Sequence, residues 1–172
     1  PMRLLFAALL FATSLFAIGE KTDTMQADFV QTITDDKNST ITYRGDMIAK
    51  RPNMAIWHYK EPVKKSVYVT QRNVTVIEPE LEQVIIKKLN GSVDILAILG
   101  AAEQVGKNSY RAHYSGKEYL ISVKGGKIET ISYTDAFDNR VSIVFDKQQI
   151  NQTIDDDRFK AAIPQDFDII SE

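Results

Sequence analysis

Apolar and polar side chains alternate with a period of two through most of the chain. From Ile41 to Lys50 the alternation sets Ile41, Tyr43, Gly45, Met47 and Ala49 on one face, and Thr42, Arg44, Asp46, Ile48 and Lys50 on the other. That is the pattern of a half-buried β-strand. Short runs rich in β-branched and aromatic residues cover Phe29 to Thr34, Met54 to Tyr59, Ser66 to Thr70, Val74 to Ile77 and Gln83 to Lys88. They resume over Tyr110 to Tyr114, Tyr119 to Lys124, Lys127 to Tyr133 and Arg140 to Asp146. Asp35-Asp36-Lys37-Asn38, Gly125-Gly126 and Asp138-Asn139 supply turn residues between runs. So many short strands with tight turns imply one large antiparallel sheet, which must curl or close to bury its apolar face.

One segment departs from this pattern. Ser92 can cap a helix whose body, Val93-Asp94-Ile95-Leu96-Ala97-Ile98-Leu99, is apolar on nearly every side and stops at Gly100. Such a helix has to be buried on several sides. It either inserts into the concave face of the curled sheet as a lid, with Asn90-Gly91, Gly100 and Gly106 as hinges, or covers one sheet face as an ordinary core helix.

Arg51 follows Lys50 with the parity of Met47 and Ala49, so strand geometry places it on the apolar side just before Pro52 ends the ladder. A guanidinium there needs acceptors to offset its desolvation; the alternative is a bulge at Pro52 that turns it out to solvent. Trp57 and Tyr59 share a face, as core or rim aromatics or as a ligand platform.

Residues 1–17 read as a signal peptide, with Arg3 ahead of the apolar run Leu4 to Ala12 and small residues at Ala12, Ser14 and Ala17. Cleavage after 14 or after 17 leaves 18–172 as a single domain. The apolar run is about half the ~20 residues of a bilayer span. Export to the periplasm is therefore expected. The 172 residues hold 21 Lys+Arg against 23 Asp+Glu and no cysteine, so there is no basic field for nucleic acid, no thiolate zinc site and no cysteine to acylate. His58 and His113 are far apart in sequence, and neither a metal nor another cofactor is expected. Gly100 to Asn108 fails as a phosphate loop, because it has five residues between its glycines and Asn in place of the magnesium-binding Ser or Thr. Asp155-Asp156-Asp157 lacks the spaced oxygens of a calcium loop and reads as a solvated turn. No catalytic motif emerges.

The stretch Gly45-Asp46-Met47-Ile48-Ala49-Lys50-Arg51-Pro52-Asn53-Met54-Ala55-Ile56-Trp57-His58-Tyr59 is preceded by Phe29-Val30-Gln31 and followed by Glu61-Pro62 and Leu81-Glu82-Gln83. Together these resemble the periplasmic outer-membrane lipoprotein carrier family, LolA. The likeness continues more weakly through Asp135 to Asn139 and the tail from Phe159 to Ile169. The resemblance implies an incomplete, strongly curved antiparallel β-barrel with a helical lid, similar to the receptor LolB, which unlike this chain bears an acylated cysteine. It implies a monomeric carrier, not an enzyme, that accepts lipoproteins from an inner-membrane ABC transporter, shields their acyl chains and delivers them to the outer membrane, to a receptor where one exists. It makes Arg51 the latch that hydrogen-bonds lid carbonyls, and Met47, Ala49, Trp57, Ile95, Leu96, Ile98 and Leu99 the lid and acyl-chain cavity. Two departures stand out. The family usually has an aromatic at Ala55, on a surface implicated in partner contact, and the segment before Phe29 is short for the family's first helix.

Two other functions fit a β-rich exported domain: a general periplasmic binder of lipids or other hydrophobic ligands with the same fold, and a secreted hydrolase. Of the four Asn-x-Ser/Thr sequons, at Asn38, Asn73, Asn90 and Asn151, that at Asn38 has an acidic residue, Asp36, two positions ahead. This marks Asn38 as a candidate glycosylation site in a polar turn.

Overall fold

The computed structural model describes residues 22–89 and 94–172; residues 1–17, read above as a signal peptide, Asn90-Gly91 and Ser92 lie outside the described residues. Twelve strands form one sheet: β1 (Thr24–Thr34), β2 (Thr40–Lys50), β3 (Met54–Glu61), β4 (Lys65–Val69), β5 (Asn73–Glu78), β6 (Gln83–Lys88), β7 (Ala102–Gly106), β8 (Ser109–Tyr114), β9 (Lys117–Lys124), β10 (Lys127–Thr134), β11 (Arg140–Ile150) and β12 (Asp168–Ser171). Their order is β12-β6-β5-β4-β3-β2-β1-β11-β10-β9-β8-β7. All neighbours are antiparallel except β12, which runs parallel to β6. The two edges, β12 and β7, do not pair, so the sheet curls without closing.

The alternation read from the sequence sets the inside of this curve. Phe29, Met47, Trp57, Ile121, Ile131 and Ile143 point inward and join one buried cluster with α1 (Ile95–Gly100), the one α-helix among the described residues. β1, β2 and β3 approach closely at Gly45. At Gly45 an added Cβ would sit 1.9 Å from the carbonyl oxygen of His58 and 3.0 Å from the Phe29 ring. The glycine lets two backbones approach, and Phe29 covers it, meeting Trp57 and Tyr59 edge-on at 5.1 Å each. Gly45→Ala is expected to force β2 and β3 apart and to cost about 1–3 kcal/mol, as overpacking of a filled site does. A fall in the urea midpoint at unchanged m-value would register it.

The outer face is not uniformly polar. Ile48 and Ile56 pack with Ile154 and Phe159 of the segment leading from β11 to β12. That segment crosses the outside of the sheet, and Lys50 Nζ ties it down by donating to Ile154 O at 2.7 Å and Asp156 Oδ1 at 2.6 Å. The acidic turn expected at Asp155 to Asp157 is present, with Asp155 accepting from the Asp157 amide. Three expectations are corrected. Thr24 to Asp28 extend β1, so any first helix would have to precede residue 22. The helix cap is Asp94, whose carboxylate accepts from Ala97 N at 3.0 Å, so the helix starts later than a cap at Ser92 would place it. Ile48 faces a small second core, not solvent.

Candidate functional site

Four of the six residues of α1, namely Ile95, Leu96, Ile98 and Leu99, are at most 1% exposed. The helix packs against β2 and β8, which lie five places apart in the sheet, so it fills the concavity between them. The turn after β2 carries Arg51 inward. Its Nη2 donates to Leu96 O at 2.7 Å and its Nε to Thr22 O at 2.8 Å, while its own amide donates to Asp23 O at 2.9 Å. Parity along β2 therefore holds through Arg51, and the bulge that would turn it outward is absent. One guanidinium joins the entry to β1, the β2–β3 turn and the helix, with its charge set against the carbonyl oxygens of Thr22 and Leu96. Gly100 makes room for it, since a Cβ there would lie 3.2 Å from Arg51 Nη2. The glycine that the sequence offered as a helix stop is the last helical residue, lying beside the guanidinium.

The same concave face holds a cavity of about 150 Å³, lined from β1, β3, β4, β5, β10 and β11. Trp57, Val67, Val69, Val74 and Ile143 make it apolar, and Gln31, Tyr59 and Tyr133 give it a polar rim. Tyr59 donates its hydroxyl to Gln31 Oε1 at 3.0 Å. Burial, helped by the neighbouring Tyr43, pushes the Tyr59 phenol up to about 12 from 10.0; burial also raises Tyr133. The folded protein thus keeps the Tyr59 proton where the unfolded chain has lost it. This contribution to stability is whole below pH ~10 and disappears as pH rises to about 12, at most about 3 kcal/mol for a shift of this size. Tyr59→Phe is expected to flatten the decline in urea midpoint across that window.

A larger cleft of about 520 Å³ lies elsewhere, lined by Thr32, Ser132, Ser142, Lys117, Glu118 and Arg140 among others. Thr32, Ser142 and Ser132 pair across β1, β11 and β10 with the parity opposite to Phe29 and Ile131. The cleft is therefore on the outer face, and its hydroxyl and charged lining makes it the poorer apolar container.

Of the residues assigned to the lid and cavity, Met47, Ala49, Trp57, Ile95, Leu96, Ile98 and Leu99 all fall in the same core cluster. Trp57 alone of these lines the open cavity; the others fill the concave face. Ala55 lies 6% exposed opposite Ala49 and Val69, within the core cluster. Asn38 occupies the exposed β1–β2 turn at φ 62°, and its Oδ1 accepts from Arg140 Nη2 at 2.7 Å. Sequence reasoning passed over Lys65 and Tyr43. Lys65 shares the parity of Val67 and Val69 on β4, which place it inward, and its Nζ stands 4.6 Å from the Tyr59 ring centre and 5.1 Å from that of Tyr43. Among the described residues no group of three or more His, Asp or Glu is placed to hold a metal ion.

An open, curved sheet that wraps an apolar interior around one buried helix, pinned by a single arginine, defines a half-barrel protein whose distinctive chemistry is hydrophobic enclosure. Residues 20–117 match the family described as outer membrane lipoprotein carrier protein LolA, and the chain belongs to that family. It is 37% identical over 161 residues to the outer-membrane lipoprotein carrier protein of Campylobacter jejuni, covering 94% of each chain. It is 31% identical over 158 residues to that of Helicobacter hepaticus, covering 91% of this chain and 88% of the relative. An uncharacterized conserved protein from Thermus thermophilus shares the fold, with a TM-score of 0.53 at 10% identity over 88% of this chain and 92% of that one.

Proposed function

We propose that this protein is a periplasmic carrier of lipoproteins. It takes them from an inner-membrane ABC transporter, shields their acyl chains inside the curved sheet and delivers them to the outer membrane. The observation that carries this reading is the apolar helix buried in the concave face and tied by Arg51 to the turn after β2. Acyl chains of on the order of 30 methylenes would cost roughly 24 kcal/mol to hold in water at ~0.8 kcal/mol each, so a lipoprotein does not cross the periplasm unaided. The cavity on the concave face, about 150 Å³, has room for on the order of ten water-sized groups, far fewer than the roughly 30 methylenes of the cargo. Cargo must therefore displace α1, and the interior that the helix covers becomes the cargo site. A helix that competes with the chains also keeps net affinity low enough for release. Carriage of this kind makes and breaks no covalent bond, and the energy for extraction comes from the transporter.

The test places a labelled lipoprotein in proteoliposomes with the transporter and follows it into the supernatant on adding ATP and the purified protein. Release that needs both supports the carrier reading. Uptake of phospholipid or fatty acid without transporter or ATP, and no uptake of lipoprotein, would mark a general hydrophobic-ligand binder instead.

A further inference from the structure

The inward stripe of β4 runs Lys65, Val67, Val69, so a cation stands where the two positions that follow on that face line an apolar cavity. Among the described residues Lys65 makes no ion pair; its contacts are the faces of Tyr43 and Tyr59. Both rings belong to the same end of the sheet, since Tyr59 pairs with Lys65 and Tyr43 with Gln31. Gln31 accepts the Tyr59 hydroxyl through Oε1, which leaves its side-chain NH2 as a donor on the cavity rim. Tyr43 and Arg51 are eight residues apart along β2, roughly 26 Å of extended strand, so this end is remote from the arginine that holds the helix. The interior therefore runs from an end plugged by α1, where the carbonyl oxygens of Leu96 and Thr22 take up the Arg51 charge, to an end with an ammonium, an amide donor and two amphipathic rings.

We propose that Lys65 and Gln31 form a clamp for the head of a diacylglyceryl group, binding its ester-carbonyl and glyceryl oxygens while the acyl chains extend toward α1. This rests on the carrier reading and adds to it a direction of insertion and a chemical preference. Hydrocarbon burial distinguishes neither. A cation held over aromatic faces contributes little by itself at a half-exposed site, whereas its three N–H donors, with solvent partly excluded, bind carbonyl oxygens that the apolar walls leave without partners.

The test compares wild type with Lys65→Met, which keeps the apolar stem, and with Lys65→Arg. The probes are a synthetic dipalmitoyl-glyceryl-cysteine peptide, its dihexadecyl ether analogue without carbonyls, dipalmitoylphosphatidylglycerol, and the neutral apolar dye 1-N-phenylnaphthylamine. Lys65→Met is expected to weaken the diester peptide about tenfold, with the diether and the dye unchanged and Lys65→Arg restoring most of the loss. Gln31→Leu should discriminate in the same direction. Equal effects on diester and diether, or none on either, would overturn the clamp and leave Lys65 as packing on tyrosines. A stronger dependence on Lys65 for phosphatidylglycerol than for the diester would overturn it too, making the site one for a lipid phosphate. Failure of wild type to bind any acyl probe would instead defeat the carrier reading, and this inference with it.

Discussion

Leu96→Arg is expected to drive α1 out of the concave face while the sheet remains folded. Leu96 is 1% exposed among apolar side chains, and an unpaired guanidinium there costs several kcal/mol even after relaxation. Arg51, whose Nη2 lies 2.7 Å from Leu96 O, adds like charge beside it. Against expulsion stands the burial of Ile95, Ile98 and Leu99, about 1.5–3 kcal/mol each, or roughly 5–9 kcal/mol together. The two costs are comparable, so an open state that is scarce in wild type becomes well populated. The strand ladder makes no use of the helix, whose neighbours are β2 and β8. The β-sheet circular dichroism should therefore persist while 1-N-phenylnaphthylamine fluorescence rises several-fold. Loss of the β signal in the same transition would mean that α1 is a structural part of the core, and displacement by cargo would no longer be tenable.

The elements legible in the sequence were those with one face dry and the other wet. β2, β3, β9 and β10 alternate because they form the wall of a half-filled barrel, and their turns are marked by residues that tolerate positive φ, as at Gly125 and Gly126. β7 and β12 escaped because edge strands have little to alternate. Four of the five β7 residues are exposed, as is every residue of β12, which is held by pairing with β6. Arg51 was legible because parity set a charge on an apolar face, but parity does not name its acceptors; Leu96 and Thr22 are brought to it by the fold. Lys65 carried the same kind of signal on a shorter strand, but the run read from the sequence began one residue later, at Ser66. The buried side of Ile48 was hidden for another reason: its cover, Ile154 and Phe159, arrives from over 100 residues away and has no local signature.

Arg51→Leu is expected to yield a carrier that loads and does not let go. In the closed state the guanidinium supplies the hydrogen bonds to Leu96 O and Thr22 O, and a bond from a charged donor contributes about 1.5–3 kcal/mol. Losing the bond to the helix alone shifts the balance between seated and displaced helix by about ten- to hundredfold toward displaced. Leucine restores none of it, although its methyl groups suit the apolar surroundings and should keep the sheet intact. Apparent affinity for cargo is the intrinsic affinity multiplied by the fraction of carrier whose helix is out of the way. The same shift that eases loading thus removes the competitor that drives release, and most of the effect falls on the off-rate. In a two-membrane transfer assay the variant should strip labelled lipoprotein from donor vesicles at least as well as wild type and then retain it in the supernatant, with delivery to acceptor membranes about tenfold slower or worse. Lys at the same position keeps the charge but has a single nitrogen in place of the fork, so Arg51→Lys should fall between the two. Delivery at the wild-type rate by Arg51→Leu would show that the contact with Leu96 holds the helix without governing release.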